Sequence, residues 1–232
     1  MTVITARQFS VDEIGAYVTE LYDTNGHPVL FPRTLIGNKN RGGSHICFPY
    51  FGPDAADVRP QHGFGRTVTW RSEVSVDGRI VTCAYDEVND ERFQGLSTKV
   101  KYEINEAGDT FTTTLNVINN GSQSSTVTPG FHPYFMIDAT DVVLNGKRIN
   151  VADFDPFQSF PDTTSIVLET AGRTVTVLSE NLTHMVVWTD AKGEYLCIEP
   201  TVRGNAFDSR HEPRLSGMAP GGTIEYSFSI KW

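Results

Sequence analysis

The sequence predicts an all-β fold built from antiparallel strands, and three observations support that prediction. Short runs of alternating apolar and polar residues recur along the 232 residues, whereas a helical period is almost absent. The 20 glycines and 12 prolines are spread over the whole chain, which suits frequent turns. The pair Asp77-Gly78 stands between two alternating runs, and such a pair favours a tight hairpin because both of its residues adopt positive φ. These features are typical of an antiparallel sandwich or barrel.

The predicted strands follow one another with short turns between them. Asn25-Gly26 and Gly108 mark further turns of the same kind as Asp77-Gly78. Residues 85–96 lack the alternation and leave a weak helical alternative. From the N-terminus, the strand runs cover residues 15–22, 27–31, 66–76, 80–85, 100–104, 111–117, 173–178, 185–188, 195–198 and 225–232.

Composition and charge narrow the class of protein. No linker, charge run or low-complexity tract divides the chain, so we predict one domain over residues 1–232. The net charge of −9 argues against nucleic acid or an anionic membrane as a general partner. Three cysteines are too few for a disulfide scaffold, and no stretch approaches the ~20 apolar residues of a membrane span. With no signal-peptide core at the N-terminus, we expect a cytoplasmic protein.

Four segments contain residue types that a structural loop rarely needs together: residues 41–53, 61–66, 129–135 and 196–200. A period of 2 puts Glu199 on the same strand face as Tyr195 and Cys197, opposite Leu196. A carboxylate in such apolar surroundings has either an ion-pair partner or a chemical task. His62 and His132 have the same two interpretations, structural or functional. For His45 and Arg41 the residues alone favour the structural one.

Taken in order, the four segments resemble the galactose mutarotase-like superfamily, and most closely its glucose-6-phosphate 1-epimerase branch. The matching motifs are Arg41 to Gly52, His62 to Arg66 before Trp70, His132 before Tyr134-Phe135, and Ile198-Glu199-Pro200. The resemblance covers roughly residues 14–232. Ser44-His45 departs from it, because that branch usually has an aliphatic residue and proline there.

The resemblance implies an antiparallel β-supersandwich with an open sugar cleft. It implies an isomerase that interconverts the α and β anomers of a hexose or hexose 6-phosphate, without a metal or organic cofactor. His62, His132 and Glu199 fall on the catalytic positions of the family, and Arg41 and Arg66 on its phosphate-binding positions.

Ring opening needs a base at the anomeric hydroxyl and an acid at the ring oxygen. We assign Glu199 as the base, His132 as the acid and His62 as a second hydrogen-bond donor. The aromatic side chains of Phe48, Tyr50 and Tyr134 are expected to line the cleft. The expected partner is a small sugar or sugar phosphate, and the expected assembly is a monomer or weak homodimer.

Several alternatives stay open. The chain could be a non-catalytic carbohydrate-binding or sugar-sensing protein that uses the same cleft. A metal-dependent sugar isomerase is disfavoured because the usual His-x-His ligand spacing is absent. Arg66 could form a salt bridge with a strand carboxylate instead of binding phosphate. Additional cations could come from Arg203, Arg210 and Arg214.

Overall fold

A computed structural model describes residues 2–52, 61–86, 88, 93–154, 157–170, 172–202 and 217–232. Over these ranges the regular structure consists of nineteen strands, and they contain no α-helix, so the all-β prediction is confirmed. The same residues include no helix long and apolar enough to cross a membrane. The weak helical alternative at 85–96 falls partly outside the described residues; Tyr85 ends one strand and Leu96 begins the next.

Eight strands form the first sheet, and every neighbouring pair in it is antiparallel. Their order across the sheet is β1-β2-β3-β6-β11-β18-β17-β14. The strands are β1 (Val3–Thr5), β2 (Phe9–Asp12), β3 (Tyr17–Leu21), β6 (Ser44–Cys47), β11 (Gly130–Met136), β14 (Phe157–Pro161), β17 (His184–Trp188) and β18 (Tyr195–Thr201).

Nine strands form the second antiparallel sheet, in the order β13-β12-β15-β16-β19-β10-β9-β8-β7. A separate two-stranded hairpin consists of β4 (Thr34–Ile36) and β5 (Lys39–Arg41). The nine strands are β7 (Arg71–Val74), β8 (Ile80–Tyr85), β9 (Leu96–Ile104), β10 (Thr110–Asn119), β12 (Asp141–Leu144), β13 (Lys147–Asn150), β15 (Ser165–Glu169), β16 (Thr174–Glu180) and β19 (Thr223–Lys231).

The hairpins predicted from turn chemistry occur where the sequence placed them. β7 pairs with β8 across Asp77-Gly78, and β9 pairs with β10 across the turn at Gly108. Gly78 and Gly108 have φ values of 68° and 74°, a region that favours glycine. Asp77 is not among the residues with positive φ, so the expectation of positive φ at both turn residues is wrong for Asp77. The segment after Asn25-Gly26 differs from the prediction, because residues 27–31 contribute only isolated bridges at Pro28 and Leu30.

The strand predicted over residues 66–76 is much shorter than expected. Arg71–Val74 forms β7 at the edge of the second sheet, and Thr69 adds only an isolated bridge to Ile14. Val74 is half exposed and Val76 fully exposed, whereas Trp70 is buried and donates from Nε1 to the carbonyl of Gly65 at 2.9 Å. An edge strand has one neighbour, so alternation alone does not ensure that its apolar side is covered.

The main core lies between the two large sheets, whose inward faces supply its side chains. Phe131 of β11 meets Phe228 of β19 with ring centroids 4.8 Å apart, and Phe9 of β2 meets Phe111 of β10 at 5.0 Å. Such aromatic pairs hold the sheets face to face. The architecture is therefore an antiparallel sandwich.

The outer face of the first sheet is also covered, and this positions the candidate site. All seven residues of β18 are buried. Leu196 and Ile198 belong to the main core, whereas Tyr195 and Cys197 pack with Tyr134 on the other side. This arrangement confirms the strand face predicted for Glu199, which points with Cys197 away from the main core.

Candidate active site

The floor of the candidate site lies where β11 and β18 pair. Their register joins Gly130 to Thr201 and Tyr134 to Cys197, and this register brings His132 beside Glu199. His132 Nε2 and Glu199 Oε1 are 3.4 Å apart, and both side chains are buried. Both residues line a cavity of about 530 Å³. The predicted pair is thus assembled from two segments that are distant in the sequence.

Burial holds this pair in its uncharged forms. It raises the pKa of the Glu199 carboxyl well above its ordinary value of 4.5. Burial, and then the nearby His45 and His62, lowers the pKa of the His132 imidazole well below 6.5. Burial therefore favours the state in which the two groups hold one dissociable proton between them, and that proton can reside on either partner.

His62 enters the same cavity from a strained turn. Its φ of 70° is unusual for a residue with a Cβ, and Gly63 follows with a φ of 62°. A Cβ on Gly63 would lie 2.1 Å from the carbonyl oxygen of Phe48, so only glycine allows this approach. The turn is held by the backbone N–H of His62, which donates to the carbonyl of Phe51 at 3.0 Å.

The hydrogen bonds of His62 determine what it offers to a ligand. Its Nδ1 lies 2.9 Å from the carbonyl oxygen of Phe51, which can only accept, so Nδ1 carries the proton. Burial, followed by the charge of Arg66, lowers the pKa of His62 to about 3, which keeps the ring neutral. Nε2 is then an acceptor. The sequence-based role of His62 as a second donor does not fit this tautomer.

A third imidazole stands in the cavity. His45 of β6 is buried, lines the cavity and is the direct cross-strand neighbour of His132. Its ring centroid lies 4.7 Å from that of His132 and 5.5 Å from that of His62. Sequence reasoning favoured a merely structural place for His45. The available signal was its position at the departure from the family motif, on the same strand face as Cys47.

Arg41 lines the cavity but its charge is already paired. Its Nη2 lies 2.8 Å from Asp190 Oδ2, and its Nε lies 3.1 Å from the same oxygen and 3.1 Å from the hydroxyl of Tyr195. Tyr195 also donates to Asp190. The guanidinium further lies over the ring of Trp188, 5.3 Å from its centroid. Arg41 is therefore fixed within the wall of the cavity.

Arg66 has a different environment. Its Nη2 donates to the carbonyl of Gln61 at 3.0 Å, and no carboxylate of the described residues forms an ion pair with it. The alternative of a strand salt bridge is thus not what the described structure shows. The charge of Arg66 also lowers the pKa values of His45, His62 and His132. Its field therefore acts across the cavity floor.

The aromatic residues predicted to line the cleft separate into two groups. Tyr134 lines the cavity and stacks on His132 with ring centroids 4.7 Å apart. Phe48 and Tyr50 do not line it and instead lie in the main core, Phe48 against Phe64 and Tyr50 against Phe93. The expectation for these two is corrected. Residues alternate in direction near the end of β6, so the neighbours Cys47 and Phe48 face opposite sides.

Several cavity residues were missed because only tertiary pairing reveals them. Trp188 lies opposite Cys197 on β17, and Arg33 forms an ion pair with Asp12 at 2.9 Å. Lys39 and Asn40 reach the cavity from the β4–β5 hairpin. The further cations expected at Arg203, Arg210 and Arg214 lie outside the described residues.

One group of side chains has the composition of a metal site. Donor atoms of His132, Cys197 and Glu199 lie within 4.8 Å of one another. Burial raises the pKa of both the Cys197 thiol and the Glu199 carboxyl, which opposes the deprotonated forms that a metal requires. The cavity is also lined by Arg33, Lys39, Arg41 and Arg66, whose positive charges oppose a cation.

Comparisons with known proteins agree with this architecture. The sequence profile described as aldose 1-epimerase matches residues 4–154. A search of curated proteins gave no match.

Among solved structures, the galactose mutarotase related enzyme from Lactobacillus acidophilus superposes with a TM-score of 0.81 at 15% identity, over 99% of this chain and 97% of that one. The Slr1438 protein from Synechocystis sp. PCC 6803 superposes with a TM-score of 0.79 at 20% identity, over 99% and 95%. A galactose mutarotase-like protein from Lactobacillus casei ATCC 334 gives 0.78 at 15% identity, over 99% of both chains. These likenesses establish the galactose mutarotase-like fold, and the profile match over residues 4–154 shows that the chain belongs to the aldose 1-epimerase family.

Proposed function

We propose that this protein is a mutarotase that interconverts the α and β anomers of a hexose or hexose 6-phosphate. Membership of the aldose 1-epimerase family supports a mutarotase-type activity. The observation that carries the proposal is the buried pair of His132 and Glu199, 3.4 Å apart on the floor of an open cavity. A pair that shares one proton supplies an acid and a base together, which is what opening a hemiacetal ring requires.

The proton balance of the reaction closes within this pair. Moving the shared proton from Glu199 to His132 gives a carboxylate and an imidazolium. The carboxylate takes the proton of the anomeric hydroxyl while the imidazolium protonates the ring oxygen, so the C1–O5 bond breaks and an aldehyde forms. The pair then again holds one proton, on Glu199. Rotation about C1–C2 followed by the reverse steps closes the ring on the other face of the aldehyde.

The walls of the cavity suit a sugar. The rings of Tyr134 and Trp188 line it, and sugars pack their C–H faces on aromatic rings. The Nε2 atom of His62 is available as an acceptor for a sugar hydroxyl because its Nδ1 is engaged with Phe51. We assign His62 to substrate orientation and leave the proton transfers to His132 and Glu199.

For a phosphorylated sugar, Arg66 is the better anion ligand of the two predicted arginines. Its guanidinium has no carboxylate partner among the described residues, whereas Arg41 is neutralised by Asp190. Lys39 lines the same cavity and has no ion-pair partner in the described part of the chain. A guanidinium without a carboxylate partner can bind phosphate with two parallel hydrogen bonds.

The activity is tested by following anomer exchange with NMR after mixing one pure anomer with enzyme, using hexoses with and without a 6-phosphate. The proposal expects catalysed exchange for at least one sugar, and a loss of it in Glu199→Gln and His132→Asn. Binding of sugars without any catalysed exchange over the panel would overturn it in favour of a carbohydrate-binding or sugar-sensing protein. Undiminished exchange in either variant would overturn the assignment of the pair.

The phosphate assignment is tested with the matched variants Arg66→Met and Arg41→Met. A charge-assisted hydrogen bond contributes about 1.5–3 kcal/mol, so Arg66→Met should raise KM for the hexose 6-phosphate by roughly 10- to 150-fold. KM for the free hexose should stay within about twofold. Arg41→Met should change both KM values alike. An unchanged ratio of the two KM values in Arg66→Met would refute phosphate binding by Arg66.

A further inference from the structure

The orientation of the His132 ring poses a physical question. A catalytic histidine is usually held by a hydrogen bond at the ring nitrogen that does not face the reacting atoms. Here Nε2 faces Glu199 at 3.4 Å, while Nδ1 is buried and has no hydrogen-bond partner among the described residues. Any restraint on the rotation of the ring at its Nδ1 side must therefore come from contacts other than a hydrogen bond.

Ring packing supplies that restraint. His45 lies against His132 with centroids 4.7 Å apart and ring planes inclined by 32°. Tyr134 lies at the same distance with planes inclined by 19°. His45 is itself held as the cross-strand neighbour of His132 on β6 and by a ring contact to Tyr17 at 5.5 Å.

We propose that His45 is a positioning residue that holds the His132 imidazole in its reactive orientation through ring contact, in place of the hydrogen bond that His132 lacks at Nδ1. The nitrogens of His45 help to hold His45 itself, because Nδ1 lies 3.7 Å from Cys47 Sγ and the ring has a hydrogen bond to the backbone of Ile46. The contact with His132 is made by the face of the ring. Burial also lowers the pKa of His45 well below 6.5, which favours the uncharged form of its ring.

Three substitutions separate the ring from its nitrogens. His45→Phe keeps an aromatic ring and removes both nitrogens, whereas His45→Gln keeps polar atoms and similar size and removes the ring. His45→Ala removes both. Ser44→Ala is the matched control, because Ser44 is the adjacent buried residue of β6 and faces the other side of the strand.

The kinetic result expected is a split between kcat and KM. A loosened His132 should lower kcat by about 10- to 100-fold in His45→Gln and His45→Ala, with KM changed by less than about threefold. His45→Phe should keep kcat within about threefold of the wild type, and Ser44→Ala should match it. Full activity of His45→Gln, or a His45→Phe variant as impaired as His45→Gln, would overturn the proposal.

This kinetic readout rests on the proposed function. A second readout is therefore needed that does not depend on it. The ¹⁵N shifts of the His132 ring report its tautomer and mobility in the protein without sugar. They should be preserved in His45→Phe and move towards those of a freely exchanging imidazole in His45→Gln. Preserved shifts in both variants would refute positioning by His45. A wild-type protein without anomer exchange, but with this pattern of shifts, would refute the function alone.

Discussion

Replacing Glu199 by Gln removes one member of the buried pair and leaves its shape nearly intact. The amide has the size of the carboxyl and can still donate to His132 Nε2. In the wild type, Nε2 lies 3.4 Å from Glu199 Oε1. What is lost is the charge. At 3.4 Å and an effective dielectric constant of ~20, the attraction between a carboxylate and an imidazolium is about 5 kcal/mol. That attraction makes the charged form of the pair accessible although burial disfavours each charge separately.

The expected loss of activity follows from the role of the base. Without a carboxylate at residue 199, the anomeric hydroxyl loses its proton to water and His132 loses the partner that stabilises its charge. General acid–base catalysis contributes ~10²–10⁴-fold, so kcat should fall by that factor, or about 2.7–5.4 kcal/mol at 1.36 kcal/mol per tenfold. KM should change little, because the cavity keeps its shape.

The same substitution should stabilise the fold, and the sign follows from proton linkage. Burial raises the pKa of Glu199 in the folded protein above its unfolded value of 4.5. Between these two values the folded state holds a proton that the unfolded state has released, so the free energy of unfolding falls as pH rises. The amide introduced by Glu199→Gln does not titrate. The variant should therefore unfold at a higher temperature than the wild type at pH 8, with the difference shrinking towards pH 4.5.

The assays are NMR anomer exchange and thermal unfolding at pH 4.5, 6 and 8. Glu169→Gln is the matched control, because Glu169 is the exposed last residue of β15 and should affect neither measurement. Undiminished exchange in Glu199→Gln would refute the role of the base. A stability difference that shrinks as pH rises would refute the uncharged, buried state of Glu199.

Three further predictions concern the pair, the backbone and the core. The pH profile of kcat/KM should be bell-shaped, with an ascending limb below pH 6.5 set by His132 and a descending limb well above pH 4.5 set by Glu199. A limb at the ordinary pKa of histidine, 6.5, or of glutamate, 4.5, would contradict the role of burial. Gly43→Ala should lower the free energy of unfolding in urea by more than the ~1–3 kcal/mol of an unfavourable φ, since its Cβ would lie 2.1 Å from a backbone oxygen. Gly26→Ala has open space around its Cβ and should lower the free energy of unfolding by about 1 kcal/mol. Phe48→Leu should lower the unfolding temperature while leaving KM unchanged, because Phe48 lies in the core; a raised KM would return it to the cleft.

Turns and strand faces, which depend on neighbouring residues, could be predicted from the sequence. Contacts between distant segments could not. Asp77-Gly78 and Gly108 mark their hairpins because the turn conformation selects glycine. The face of Glu199 follows from a period of 2 alone. In contrast, Arg41 and Asp190 are 149 residues apart, so neither position indicates that the arginine is neutralised.

The sequence-based predictions that the structure corrects, at residues 66–76 and at Phe48, have one physical origin. Alternation tells which residues share a strand face, but a neighbouring strand or loop decides what covers that face. Val76 alternates correctly and is exposed because its segment lies beyond the end of edge strand β7. Phe48 was expected in the cleft, but it follows the end of β6 on the face that packs into the core, whereas His45 on the opposite face lines the cavity.

The double burial of β18 has a consequence for how the family can vary. One face of this strand should tolerate exchange among apolar residues of similar volume at Leu196 and Ile198, because the side chains at those positions only have to pack in the core. The other face carries Cys197 and Glu199, where size and chemistry are both constrained. A saturation scan of this strand should therefore show tolerance with a period of two residues. On the proposed function, substitutions on one face should impair anomer exchange and substitutions on the other should impair folding.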